Sequence, residues 1–171
     1  ELLFLAMHDG LPVRIVYWSS NPLVALYFAT AHFRKDKMTN GIVWVCFRKE
    51  EAKPIRPYEQ PLLEDRSFSE AFAEFKGIRL IYPTHMIRRI DAQSGLFSIH
   101  GDPSQSLEKF AQKCCYENSD IEALYKLIIP KDNRGKIVDM LDYCDISERT
   151  IYLDLDGAAR GIVNNELLRN N

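Results

Sequence analysis

The side chains best able to do chemistry crowd into residues 8–29, which read HDGLPVRIVYWSSNPLVALYFA. Arg14 stands inside an apolar run, and a guanidinium there needs a partner. A structural ion pair and a phosphate or carboxylate contact are both open to it. Trp18 offers a ring face for stacking. Ser19, Ser20 and Asn21 bring hydroxyls and an amide to the start of a helix, where backbone N–H groups favour anionic ligands. The same three residues also serve a helix cap, and both readings stand on chemistry alone. His8 opens the stretch and suits either a bond to a nearby backbone carbonyl or a ligand contact.

The other reactive residue types are less pointed. His8, His32, His85 and His100 show no metal-ligand spacing, and neither do Cys46, Cys114, Cys115 and Cys144. Reduced thiols are expected. Asp154 and Asp156 alternate and are expected to share a strand face, where pairing with Arg14 or Arg89 is expected ahead of metal binding. No nucleophile elbow supports Ser–His–Asp catalysis.

The elements that position these groups follow from punctuation and pattern. Gly10 and Pro12 predict a tight turn, and the β-branched and aromatic residues at 13–18 predict a strand. Asn21 is the expected N-cap and Pro22 the first helical residue. The helix from Leu23 to about Phe33 is apolar nearly all round, so it is expected inside the domain. Residues 41–47 form the strongest strand, expected to be central with both faces covered. Pro54, Pro57 and Pro61 mark a long connection over 49–66, and residues 67–75 a short amphipathic helix. Residues 78–82 predict a strand stopped by Pro83. Residues 89–97 predict another strand, with a bulge or close approach at Gly95.

Asp102-Pro103 predicts a helix start, with Leu107, Phe110, Ala111 and Cys114 at helical spacing. Residues 124–129 predict a strand ended by Pro130. Residues 135–143 predict a helix with Ile137, Val138, Leu141 and Cys144 as its core stripe. A short strand at 150–155 and a terminal helix at 158–168 close the chain. Strands and helices mix without a βαβ rhythm, so the fold class is α+β, with a mixed or split, mostly antiparallel sheet and flanking helices.

Composition narrows the partners. The 171 residues, 46% hydrophobic and 27% charged, suit one domain with a proper core. A net charge of −2 gives no electrostatic case for nucleic acid. No secretory segment or run of 18 apolar residues is present. A cytoplasmic protein is the resulting expectation.

The run His8-x-Gly10-Leu11-Pro12-x-Arg14-Ile15, continued by Trp18-Ser19-x-Asn21-Pro22-Leu23-Val24-Ala25-Leu26-Tyr27-Phe28-Ala29, resembles the signature of the bacterial FRG domain family. Val13 stands where that family usually has Thr, and Tyr17 where it has Asp. Two later runs extend the resemblance. Arg89-Ile90-x-Ala92-Gln93-x-Gly95-x-Phe97 is similar to a family element in which Ser94 is usually Gln. Residues 151–159, IYLDLDGAA, are similar to another in which Leu153 is usually Pro. The Phe/Tyr-Arg-Gly motif that names the family is not in the chain. Residues 1–171 are therefore expected to be a single FRG-like domain lacking its N-terminal segment.

The resemblance implies a more distant similarity to the ADP-ribosyltransferase fold, in which a split antiparallel sheet grips NAD. On that reading Arg14 meets a phosphate, Trp18 stacks a ring, and Ser19 and Asn21 meet ribose or phosphate. His8 belongs to the same binding set. Gln93 would stand with Ser19 in the catalytic role, meeting ribose. Gln can bond a hydroxyl, but it cannot offset positive charge as a carboxylate does. Two functions follow as expectations. One is an ADP-ribosyltransferase or NAD glycohydrolase acting as a bacterial toxin or phage-defence effector. The other is a non-catalytic nucleotide-binding or regulatory module. A nucleotide-like small molecule and a protein partner or additional domains are the implied partners.

Overall fold

The computed structural model describes residues 15–31, 38–52, 77–82, 88–102, 104–112 and 119–153. The chain is mixed α/β, with antiparallel sheets and flanking helices. It divides into two compact units. The first comprises Glu1–Trp18, Val45–Thr84 and Leu96–Tyr125, and the second Ser19–Trp44, His85–Gly95 and Lys126–Asn171.

Strands β1 (Ile15–Ser19), β3 (Ile78–Ile81) and β4 (Gly95–His100) form a three-stranded sheet in the order β1-β4-β3. β3 and β4 are antiparallel, with Ile78 opposite His100 and Leu80 opposite Ser98. Residues 97–100 of the central strand are all buried. Its side chains alternate, so Phe97 and Ile99 face one way and Ser98 and His100 the other. One face of β4 is thus apolar and its other face is polar yet closed to water.

Within the first unit, Ile15, Ile78, Leu80, Ile81, Phe97, Ile99 and Phe110 are buried. Phe110 comes from a short helix, Leu107–Gln112. Ahead of that helix Asp102 accepts from Ser104 N and Oγ and from Gln105 Nε2. Those bonds hold its carboxyl below the usual range. Beside β3, Asp120 accepts from Leu80 N at 2.8 Å and from Arg79 Nε at 3.1 Å. Asp120 N donates in turn to Ile78 O, fixing the start of the next strand.

The second unit has its core where helix α1 (Pro22–Thr30) meets helix α4 (Arg134–Tyr143). Val24, Tyr27, Leu141 and Ile151 are buried together, with Leu26, Ala31, Ile137, Ile146 and Tyr152 packed around them. Ile151 belongs to α5 (Glu148–Ile151). Gly41 lies so close to α1 that a Cβ there would stand 2.4 Å from Ala29 O. Arg134 is buried and donates from Nη1 to Thr39 O at 2.9 Å.

Several expectations are corrected. α1 is not enclosed on all sides. Leu23 and Phe28 are exposed, because Val24, Tyr27 and Thr30 alone make its buried stripe. Strand β2 (Gly41–Arg48) is not central. It pairs with β5 (Ile121–Ile129) in a two-stranded sheet among the described residues, and Ile42 and Phe47 are 47% and 52% exposed. Residues 89–97 are not one strand. Helix α2 (Arg88–Ala92) precedes a turn at Gln93-Ser94, and β4 begins at Gly95. Ser94 makes that turn with φ 48°.

Residues 150–151 are helical rather than extended. Thr150 Oγ1 accepts from Ser147 N at 2.9 Å and donates to Asp145 O at 2.8 Å, which closes a first helical turn. Cys144 is exposed at the end of α4 rather than in its core stripe. The connection at 53–66, the helix at 67–75, the terminal helix, Asp154, Asp156, Cys114 and Cys115 lie outside the described residues.

Candidate functional site

The corner at the start of α1 forms as its sequence predicts. Asn21 is extended, and its Oδ1 accepts from Leu23 N at 3.0 Å, with Pro22 following as the first helical residue. Its side-chain oxygen therefore caps the helix. Ser19 is half-buried, and its Oγ donates to Gln93 O at 2.7 Å while accepting from Asn21 N at 3.1 Å. Ser20 N and Ser20 Oγ both donate to Ser94 O, at 2.9 and 3.2 Å. Two consecutive serines thus tie the corner to two consecutive carbonyls of the turn after α2.

Gln93 sits in that turn and is only 5% exposed. Its Nε2 donates to Ile151 O at 3.3 Å, and its backbone N donates to Arg89 O. The second unit therefore joins Ser19, Gln93 and Ile151 in one chain of side-chain-to-backbone bonds. On the same unit, the Arg89 guanidinium lies 5.1 Å from the centre of the Tyr152 ring, and Phe28 meets that ring edge-on.

Trp18 belongs to the first unit. Its Nε1 donates to Ser98 Oγ at 2.7 Å, and Ser98 Oγ lies 2.9 Å from His100 Nε2. Ser98 and His100 are buried, and Phe110 packs edge-on against the imidazole at 5.3 Å. Burial pushes the His100 pKa down to about 4, so the ring is neutral near pH 7. Tyr17, where the family run has Asp, packs its ring edge-on against Phe97 at 5.1 Å.

Of the residues singled out from the sequence, Ser19 and Gln93 are brought into direct contact. Asn21 is two residues away on the same corner. Trp18 is held by a separate set of partners in its own unit. Arg14 and His8 lie outside the described residues. Sequence reasoning missed Ser98, which bonds both Trp18 and His100, and gave His100 no role. The signal available was the alternation Phe97-Ser98-Ile99-His100, in which polar side chains share one face of an otherwise apolar strand. Cys46 and Cys144 are free thiols, and burial pushes Cys46 up to about 11. Among the described residues no group of three or more His, Cys, Asp or Glu side chains could hold a metal, and no helix is long and apolar enough to cross a membrane.

The FRG domain family model matches residues 1–38, the segment that runs through Trp18, Ser19 and Asn21 into α1. Over that segment the chain is similar to the FRG domain. No curated protein and no solved structure gives a match. The matched segment contributes the serine corner, the N-cap and the α1 side of the second unit's core. It also contributes Trp18 to the first unit.

Proposed function

We propose that this FRG-domain chain is a nucleotide-binding or regulatory module of a larger protein, without turnover, whose ligand class is NAD or ADP-ribose. One observation carries the absence of turnover. The Ser19 hydroxyl and the Gln93 amide, which would have to face ribose in an NAD-cleaving site, each donate to a main-chain carbonyl. Releasing each bond for a substrate costs about 0.5–1.5 kcal/mol. Gln93 also lacks the charge that would stabilise a developing cation.

The nucleotide half of the reading is supported by the family resemblance and by Trp18, a half-buried aromatic ring whose N–H is already satisfied. A cytoplasmic setting, and a protein partner or further domain for the module to act on, belong to the same proposal. The second reading is an ADP-ribosyltransferase or NAD glycohydrolase serving as a toxin or phage-defence effector. It is favoured by the presence together of Arg14, Trp18, Asn21 and Gln93.

Calorimetry with NAD and ADP-ribose, followed by a nicotinamide-release assay on the full-length protein, separates the two. The module binds and releases no nicotinamide. Steady release transfers the case to the enzyme reading. No heat with either ligand removes the nucleotide site from both.

A further inference from the structure

An indole N–H can only donate, so Ser98 Oγ accepts from Trp18 at 2.7 Å. The serine keeps one proton of its own, and the nearest ring nitrogen, His100 Nε2, is 2.9 Å away. With the imidazole proton on Nδ1, Ser98 Oγ donates to Nε2 and the relay runs Trp18 to Ser98 to His100. All three residues are in the same compact unit. Ser98 is wholly buried, so water cannot substitute for either partner. The imidazole is pinned in turn by the edge-on ring of Phe110. Its low pKa keeps the ring neutral near pH 7, which leaves one ring nitrogen able to accept. Ser98 and His100 stand two residues apart on the central strand, which fixes their spacing.

We infer that Ser98 and His100 are positioning residues for Trp18, holding the indole in one orientation so that its face receives an aromatic, nucleobase-like ring. The ligand clause rests on the nucleotide reading above, whereas the orientation clause does not. A ring already held loses less freedom on stacking than a mobile one, so the relay raises affinity without touching the ligand. Trp18 meets the ligand, and Ser98 and His100 act through it.

The test uses the ¹⁵N-labelled full chain, which contains two tryptophans and so gives two indole N–H signals. A Trp44→Phe variant assigns the Trp18 signal. In the wild type that proton exchanges slowly with solvent. Ser98→Ala speeds its exchange about tenfold and weakens ADP-ribose binding by a similar factor, as expected for one lost buried hydrogen bond. His100→Phe keeps the contact with Phe110 but removes the acceptor, and has the same effect in smaller degree. His100→Gln retains an acceptor and restores slow exchange. The two histidine variants also decide the matter if Ser98→Ala fails to fold. Unchanged exchange in Ser98→Ala, or equal exchange in His100→Phe and His100→Gln, overturns the orientation clause. If the wild type shows slow exchange but binds neither ADP-ribose nor NAD, the ligand clause fails and the orientation clause stands.

Discussion

At pH 7 the His100 imidazole is neutral, because burial pushes its pKa from 6.5 down to about 4. The sign of the pH effect follows. Below about 6.5 the unfolded chain takes up a proton at this position that the folded chain refuses until about pH 4. Stability therefore falls across that window, by up to roughly 3 kcal/mol. Urea midpoints at pH 7, 5.5 and 4 should decline more steeply for wild type than for His100→Gln, which has no such proton to place. Ser94 makes a second residue-scale prediction. Its φ of 48° lies in the left-handed region, where a β-branched side chain is strained. Ser94→Val should lower stability by about 1–2 kcal/mol and Ser94→Gly should not, judged by urea titration.

The elements depend on a few close approaches. Gly41 opens β2 against the backbone of α1, and a methyl group would meet Ala29 O at 2.4 Å. A carbonyl in a helix cannot turn aside. Gly41→Ala should therefore lower stability by roughly 1–3 kcal/mol, visible as an earlier thermal transition. Helix α5 is only four residues long and begins on the Thr150 hydroxyl. Thr150→Ala removes these bonds, and the one to Ser147 O, at once and should cost about 1 kcal/mol, while Thr150→Ser should recover most of it. Hydrogen exchange at the amides of Ile151 and Tyr152, which bond back to Ser147 and Glu148, would report the loss locally. Because Gln93 Nε2 bonds Ile151 O, the same variant should loosen the turn that holds Ser19.

For the whole molecule, each unit rests on its own apolar centre, and among the described residues the second is built by helices. Leu141 is buried there between α1 and α5. Leu141→Ala should cost about 2–5 kcal/mol in a denaturation experiment, more than any of the surface or cap changes. A loss near the upper end would leave little of the stability typical of a chain this size.

The sequence by itself determined the local steps. The strand ending in Trp18-Ser19, the Asn21 cap, the Pro22 helix start, the β3 strand ending before Pro83 and the stop at Pro130 all rest on backbone preferences and neighbouring groups. Such preferences act within a few residues, so a single chain displays them. The FRG-domain resemblance was legible for the same reason, being a run of adjacent residue types. Only the tertiary structure decided which groups those steps leave available. Whether Ser19 faces a ligand or a carbonyl depends on Gln93, which is 74 positions away, and Trp18 finds its acceptor 80 positions away. The same holds for β2, whose apolar run carries no mark of how many strands will cover it. Propensity describes what a segment prefers, whereas partners across such distances are chosen by how the segments pack.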